Sequence, residues 1–161
     1  MGCSASGPIM DERFEVAGEP LKVAKYLKTA RSWMDVIPSV VADPNANMTD
    51  VSESAWTIQG GRFTYEFTNA ALSQQSSSGA VRVSYTVHVI GRTAGCLPVN
   101  FTINVSYDCE NSVATEHGTT IQRKVYLHGV HKLSCLMALP IKQSTLAACR
   151  RENVSISKFA S

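Results

Sequence analysis

The feature that most constrains the fold is a series of segments in the middle of the chain in which apolar and polar residues alternate. The clearest are residues 62–69, 80–90, 99–107 and 119–128, which are rich in β-branched and aromatic residues. Because successive side chains of a strand point to opposite faces, this alternation predicts half-buried antiparallel strands. Residues 52–58 predict a further strand, and Gly60 with Gly61 predicts a hairpin turn after it.

Helices are predicted on both sides of this strand-rich region. After a short strand at residues 14–16, Pro20 is suited to the first turn of a helix whose apolar positions end before Pro38. Residues 140–159 predict a long last helix, with Pro140 acceptable only at its start. Strands and helices that are segregated in this way predict the α+β class, with a polar tail at residues 1–12 and one domain at 13–161.

Composition excludes several classes of protein. The chain has 161 residues, of which 44% are hydrophobic and 17% charged, so it is neither disordered nor low in complexity. No apolar run reaches the roughly 18 residues that a bilayer span needs. The net charge of +2 gives no support for nucleic-acid binding. The apolar surplus indicates either a large core or an apolar surface or cavity.

The first residues, MGCSAS, match the acceptor pattern for N-terminal acylation. We expect a myristoyl chain on Gly2 and a palmitoyl chain on Cys3, because two acyl chains make a stable membrane anchor and one does not. The alternative is a tail that carries this glycine by chance. Residues 1–12 lack a secretory signal, and five cysteines without paired spacing indicate reduced thiols. These features predict a cytoplasmic protein that is peripherally attached to a membrane.

The order of elements resembles the START-like, helix-grip domains of the SRPBCC (polyketide-cyclase-like) superfamily. The resemblance rests on residues 14–16, 20–27, Trp33 with residues 37–40, the run of strands and the long last helix. It implies a curved antiparallel sheet wrapped around the C-terminal helix, with a short helix pair after the first strand and six strands after the pair. Pro140 departs from the pattern, since it falls where the last helix should begin.

The same resemblance implies an apolar cavity between the sheet and the last helix. The residues expected to line it are Phe63, Tyr65, Phe67, Tyr85, Val87, Val89, Phe101, Ile103, Leu146, Cys149 and Ile156. The alternative is that these residues fill a dry core. A cluster of basic residues near the start of the chain is expected either to face an anionic membrane surface or to be solvated on an outer helix face. The cluster consists of Lys22, Lys25, Lys28 and Arg31.

The sequence therefore predicts a monomer that binds or carries a lipid or another hydrophobic small molecule. We expect no cofactor, no metal site and no catalytic residue; His128 and His131 at a strand end do not share a face. Two alternatives stay open. One is a cyclase-like or hydrolase-like enzyme that uses Tyr65, Tyr85 or His88, and the other is a membrane-tethered interaction module with a vestigial pocket.

Overall fold

The computed structural model describes residues 7–75, 79–129 and 135–161 and shows an α+β fold. In chain order the elements are β1 (Met10–Ala17), α1 (Pro20–Lys28), a 3-10 helix (Arg31–Asp35), α2 (Pro38–Val41), β2 (Asn47–Ser52), β3 (Ala55–Gly60), β4 (Phe63–Gln74), β5 (Val81–Arg92), β6 (Pro98–Asn111), β7 (Gly118–His128) and α3 (Cys135–Ala160).

The strands form one seven-stranded antiparallel sheet in the order β1-β7-β6-β5-β4-β3-β2. Strands β2 to β7 follow one another as a meander, whereas β1 pairs with the last strand and places Met10 opposite Val125. Strand β1 therefore forms one edge of the sheet, beside the strand that is last in the sequence.

One face of the sheet is apolar and the other is polar. Along β5 the buried side chains are Val81, Val83, Tyr85, Val87 and Val89. Their neighbours in sequence point to the opposite, solvated face, where Arg82 pairs with Asp108. Because burial removes apolar surface from water, the helices pack on the apolar face. Helix α1 lies over β5 and β6, and α3 packs against β1 and the 3-10 helix.

A β-bulge in β4 changes which residues face the core. The register with β5 shifts between Thr68 and Ala71, and Asn69 adopts a left-handed conformation with φ 57°. Phe67 is fully buried before the bulge, and Ala70 is buried after it. The extra residue therefore preserves an apolar inner face while it bends the strand.

The strand and helix boundaries differ from the sequence prediction near the start of the chain. Strand β1 begins at Met10, so residues 10–12 belong to the sheet rather than to a polar tail. Helix α1 ends at Lys28, because Ala30 adopts a left-handed conformation with φ 58° and the chain continues as the 3-10 helix.

Two further predictions were wrong. Residues 52–58 are not one strand: a turn at Ser52–Ser54, in which the Ser52 hydroxyl accepts a hydrogen bond from the Ser54 N–H, separates β2 from β3. Helix α3 begins at Cys135, so Pro140 lies inside the helix and not at its start. A proline in the second turn removes one backbone hydrogen bond, which the rest of this 26-residue helix tolerates.

Candidate functional site

An apolar pocket of about 310 Å³ lies between the sheet and the first half of α3. It is lined by Trp33, Ile37, Phe63, Tyr65, Val89, Thr93, Val99, Phe101, Ile103, Pro140, Ile141, Ser144, Thr145 and Ala148. Its volume is at the lower end of the range of small-molecule sites in proteins.

Strand register and helix periodicity bring these residues together. Tyr65 on β4 is opposite Val89 on β5, and Val89 is opposite Phe101 on β6. These three side chains therefore form one row across three strands. On α3, residues 141, 144, 145 and 148 share a helix face because they are three or four positions apart. The row and the helix face are the two main walls of the pocket.

The polar groups along the pocket are few. The Thr145 hydroxyl donates to the backbone carbonyl of Ile141 at 2.8 Å, and the Thr93 hydroxyl accepts from the Leu97 N–H at 3.2 Å. Ser144 is exposed at the edge of the pocket. Of the described residues that line the pocket, none carries a carboxylate, amine, guanidinium, imidazole or thiol. The pocket can therefore bind hydrocarbon surface and orient a ligand through hydroxyl groups.

Trp33 connects the pocket wall to a chain of hydrogen bonds in the core. Its indole N–H donates to the Tyr85 hydroxyl. The oxygens of Tyr85 and Tyr107 are 2.9 Å apart, and the Tyr107 hydroxyl lies 2.7 Å from Oε2 of Glu152. Because an indole is only a donor, the hydroxyl protons point in one direction, from Trp33 towards Glu152.

A buried ion pair is at the end of this chain. The Arg123 guanidinium on β7 donates to Oε1 of Glu152 at 3.1 Å, and the Ser32 hydroxyl donates to Oε2 at 2.6 Å. Arg123 is fully buried and Glu152 is 1% exposed. The guanidinium also lies 5.0 Å from the centre of the Phe14 ring and 3.9 Å from a carboxylate oxygen of Glu12.

The net effect of burial and nearby charge is to raise the pKa values of Tyr85, Tyr107 and Arg123. Burial raises the pKa of both Tyr85 and Tyr107 well above the ordinary range, and the negative charge of Glu152 raises each pKa further. Burial by itself would lower the pKa of Arg123, but the carboxylate of Glu152, together with smaller contributions from Tyr107, Cys149 and Glu12, raises that pKa overall. Neither tyrosine can therefore act as a base at neutral pH.

The eleven residues expected to line a cavity fall into two groups. Along the pocket lie Phe63, Tyr65, Val89, Phe101 and Ile103. Outside its lining lie Phe67, Tyr85, Val87, Leu146, Cys149 and Ile156. All six of these pack in or against the hydrophobic core, and Tyr85 belongs to the hydrogen-bond chain.

The ion pair and nine of the described lining residues, Trp33 among them, were not predicted from the sequence, although one signal was present for the ion pair. Arg123 falls between Ile121 and Val125 at the inward-facing positions of β7. A charged residue at such a position needs a buried partner. The alternation of β7 therefore marked Arg123 as unusual, whereas nothing local in the sequence identified Glu152 as its partner.

Three of the four predicted basic residues line a shallow groove beside the end of α3. The groove is formed by Leu21, Lys22, Lys25, Tyr26, Thr29, Arg31 and Phe159, and Lys28 is not part of it. The Tyr26 and Phe159 rings are stacked 3.9 Å apart, and Lys22 lies 5.6 Å from the centre of the Phe159 ring. Gly2 and Cys3 lie outside the described residues.

The histidines that the structure describes are not among the residues that line the pocket. His88 is on the polar face of the sheet, with Nε2 2.6 Å from the Asn100 side-chain oxygen and Nδ1 3.3 Å from Glu66. Within residues 7–75, 79–129 and 135–161, no three His, Cys, Asp or Glu side chains are grouped as metal ligands would be. His131, which was expected not to share a face with His128, is outside this part of the chain.

Comparison with known proteins finds similarity to solved structures. No family model matches the chain, and no curated protein matches it. A conserved protein from Geobacillus kaustophilus is similar in structure, with a TM-score of 0.47 and 11% identity over 91% of this chain and 93% of that one. No helix in the described part of the chain is long and apolar enough to cross a membrane.

Proposed function

We propose that the protein binds a small hydrophobic molecule in the pocket between the sheet and α3. The observation that carries this proposal is the lining itself: aromatic and aliphatic side chains from β4, β5, β6 and α3 surround a volume of about 310 Å³. Apolar walls with a few polar groups at the edge are typical of sites that bind hydrophobic ligands.

We also propose that the fold is of the helix-grip, START-like type. A first strand is followed by α1 and α2, then by six consecutive antiparallel strands and one 26-residue helix. This order supports the proposal, as does the position of the pocket between the sheet and the last helix.

The size of the pocket limits the ligand. At roughly 30 Å³ for each non-hydrogen group, the share that one water occupies in the liquid, the pocket has room for at least about ten groups. A two-chain lipid would extend beyond it. At about 0.8 kcal/mol for each buried methylene, less about 4 kcal/mol for association, a hydrocarbon of this size binds with a Kd on the order of 1 mM. A ligand that also uses Ser144 or Thr93 binds more tightly.

The arrangement of the site favours binding over catalysis. Of the three residues that an enzyme was expected to use, Tyr85 is held inside the hydrogen-bond chain and His88 lies on the opposite face of the sheet. Tyr65 lines the pocket, but no acid or base accompanies it among the described lining residues.

The test is to fill the pocket from α3. Ala148 is 5% exposed and lines the pocket, so Ala148→Leu adds three carbon atoms to its wall, at most about a third of the available space. Val154 is 60% exposed on the same helix, and Val154→Leu is the surface control. Binding of n-propylbenzene, followed by equilibrium dialysis, should weaken at least tenfold in Ala148→Leu and stay unchanged in Val154→Leu. Equal binding by all three proteins would contradict the proposal.

The identity of a natural ligand can be read from the protein purified from its native host. Organic extraction and mass spectrometry should release a hydrophobic compound of about ten non-hydrogen atoms from the wild-type protein. The same compound should be depleted in Ala148→Leu. Release of equal amounts from both would place the compound outside this pocket.

Attachment to a membrane through acylated Gly2 and Cys3 completes the proposal. Intact mass of the protein made in a host that carries out both modifications should show a myristoyl and a palmitoyl increment. Gly2→Ala should abolish the myristoyl increment and move the protein from the membrane fraction to the supernatant. An unmodified wild-type mass would contradict this part of the proposal.

A further inference from the structure

Trp33 is the point at which the pocket and the buried hydrogen-bond chain meet. The indole forms part of the pocket wall and is 3% exposed. Its only polar group, the N–H, is directed to the hydroxyl of Tyr85, which does not line the pocket. The wall that Trp33 gives to a ligand is therefore hydrocarbon.

The other members of the hydrogen-bond chain, Tyr107 and Glu152, fix the orientation of the Tyr85 hydroxyl. Tyr107 lies 2.7 and 2.9 Å from the two oxygens of Glu152, an acceptor, so its own proton points away from Tyr85. The Tyr85 hydroxyl must then donate to Tyr107 and has its lone pairs free for the indole N–H. A buried donor that loses its acceptor carries a large desolvation penalty, so this arrangement is strongly preferred over one in which the N–H turns to the pocket.

We infer that Tyr85 determines the ligand specificity of the part of the pocket that Trp33 forms: by accepting the Trp33 N–H, it leaves this part of the wall without a hydrogen-bond donor, so the site selects a hydrocarbon group over an acceptor group against Trp33. This inference rests on the proposed function. Tyr85 does so as a positioning residue, because it acts through Trp33 and does not line the pocket.

The test compares the removal of two hydroxyl groups that are neighbours in the hydrogen-bond chain. Tyr85→Phe removes the acceptor of Trp33 and leaves the ring in place. Tyr107→Phe deletes an equally buried hydroxyl but leaves the Tyr85 oxygen available to the indole. The probes are n-propylbenzene and acetophenone, which are matched in size and differ by a carbonyl acceptor. Binding of each is measured by equilibrium dialysis with gas chromatography.

We expect Tyr85→Phe to shift the affinity ratio about tenfold in favour of acetophenone, since one new hydrogen bond contributes an effect of this order. Tyr107→Phe should keep the wild-type ratio. The double variant Tyr85→Phe with Trp33→Phe should lose the shift, because it lacks the indole donor. An unchanged ratio in Tyr85→Phe, or an equal shift in Tyr107→Phe, would overturn the inference.

A spectroscopic readout separates this inference from the proposed function. The chain has two tryptophans, so the indole N–H signal of Trp33 in a nitrogen-15 NMR spectrum can be assigned with Trp56→Phe. Tyr85→Phe should move that signal and speed its exchange with solvent, and acetophenone should reverse both changes. If neither probe binds the wild-type protein, the proposed function fails. If the indole signal is unchanged in Tyr85→Phe, the role of Tyr85 fails whether or not the probes bind.

Discussion

The ion pair between Arg123 and Glu152 allows a stability change to be predicted from the structure. Glu152→Gln keeps the size and one acceptor of the side chain but removes the charge opposite a fully buried guanidinium. Loss of one partner of a buried pair costs about 3–5 kcal/mol. The carboxylate of Glu12 lies 3.9 Å from the guanidinium and is half exposed, so it is too distant for a hydrogen bond and too solvated to replace the lost buried charge. For a chain of this length the expected fall in Tm is roughly 6–20 °C.

The assay is urea unfolding followed by circular dichroism and by tryptophan fluorescence, with coincident curves as the check on two-state behaviour. The matched control is Asp108→Asn, which breaks the exposed pair between Arg82 and Asp108, 2.7 Å apart, and should cost at most about 1 kcal/mol. Replacing both buried partners, by Arg123→Met with Glu152→Leu, should recover only part of the lost stability, because the charge is gone but the hydroxyls of Ser32 and Tyr107 lose their acceptor. If Glu152→Gln and Asp108→Asn cost the same, the reasoning from burial is refuted.

Three further results are expected. Gly60→Ala should lower the free energy of unfolding in urea by several kcal/mol, because its Cβ would lie 2.7 Å from a backbone atom of α2. Gly95→Ala meets no close neighbour and should leave that free energy nearly unchanged. Equal losses in the two variants would contradict the close approach at Gly60. In the folded protein at pH 8, peptide mapping after thiol alkylation should find exposed Cys96 modified much faster than Cys109 and Cys149. The reason is that burial raises the pKa of each of these two thiols to about 12. Comparable alkylation rates at all three cysteines would show that the core opens readily. The same two thiols titrate near pH 9 when unfolded, so the folded state binds more protons between pH 9 and pH 12, and the free energy of unfolding should decrease as pH rises through that window. Double replacement of both thiols by alanine should flatten that dependence, and an unchanged slope would assign it to other groups.

Periodicity predicted the parts of the fold in which one face of an element is buried along its whole length. The alternation at residues 80–90 and 99–107 predicted β5 and β6, and the turn at Gly60 was also correct. The prediction was wrong where tertiary packing overrides a local preference. Pro140 is disfavoured inside a helix in isolation, but the long helix that packs on the sheet offsets the missing hydrogen bond.

The pocket could be predicted only in part, because facing inward and lining a cavity are different properties. Alternation assigns Phe67 and Val89 to the same face, yet Phe67 is packed in the core and Val89 borders the pocket. Whether Phe67 or Val89 borders the pocket depends on the strand register and on the bulge at Asn69. The partnership of Arg123 with Glu152 depends on how α3 lies on the sheet, which no short stretch of sequence records.

The pairing of β1 with β7 has a consequence for synthesis on the ribosome. Strand β1 emerges first, but its partner follows more than a hundred residues later, and α3, which carries Glu152, emerges last. Until then the nascent chain holds a growing meander with an unpaired edge and an uncompensated Arg123. Long-range pairing of this kind slows folding and exposes strand edges to association. We therefore expect the chain to reach its folded state only after α3 has docked on the sheet.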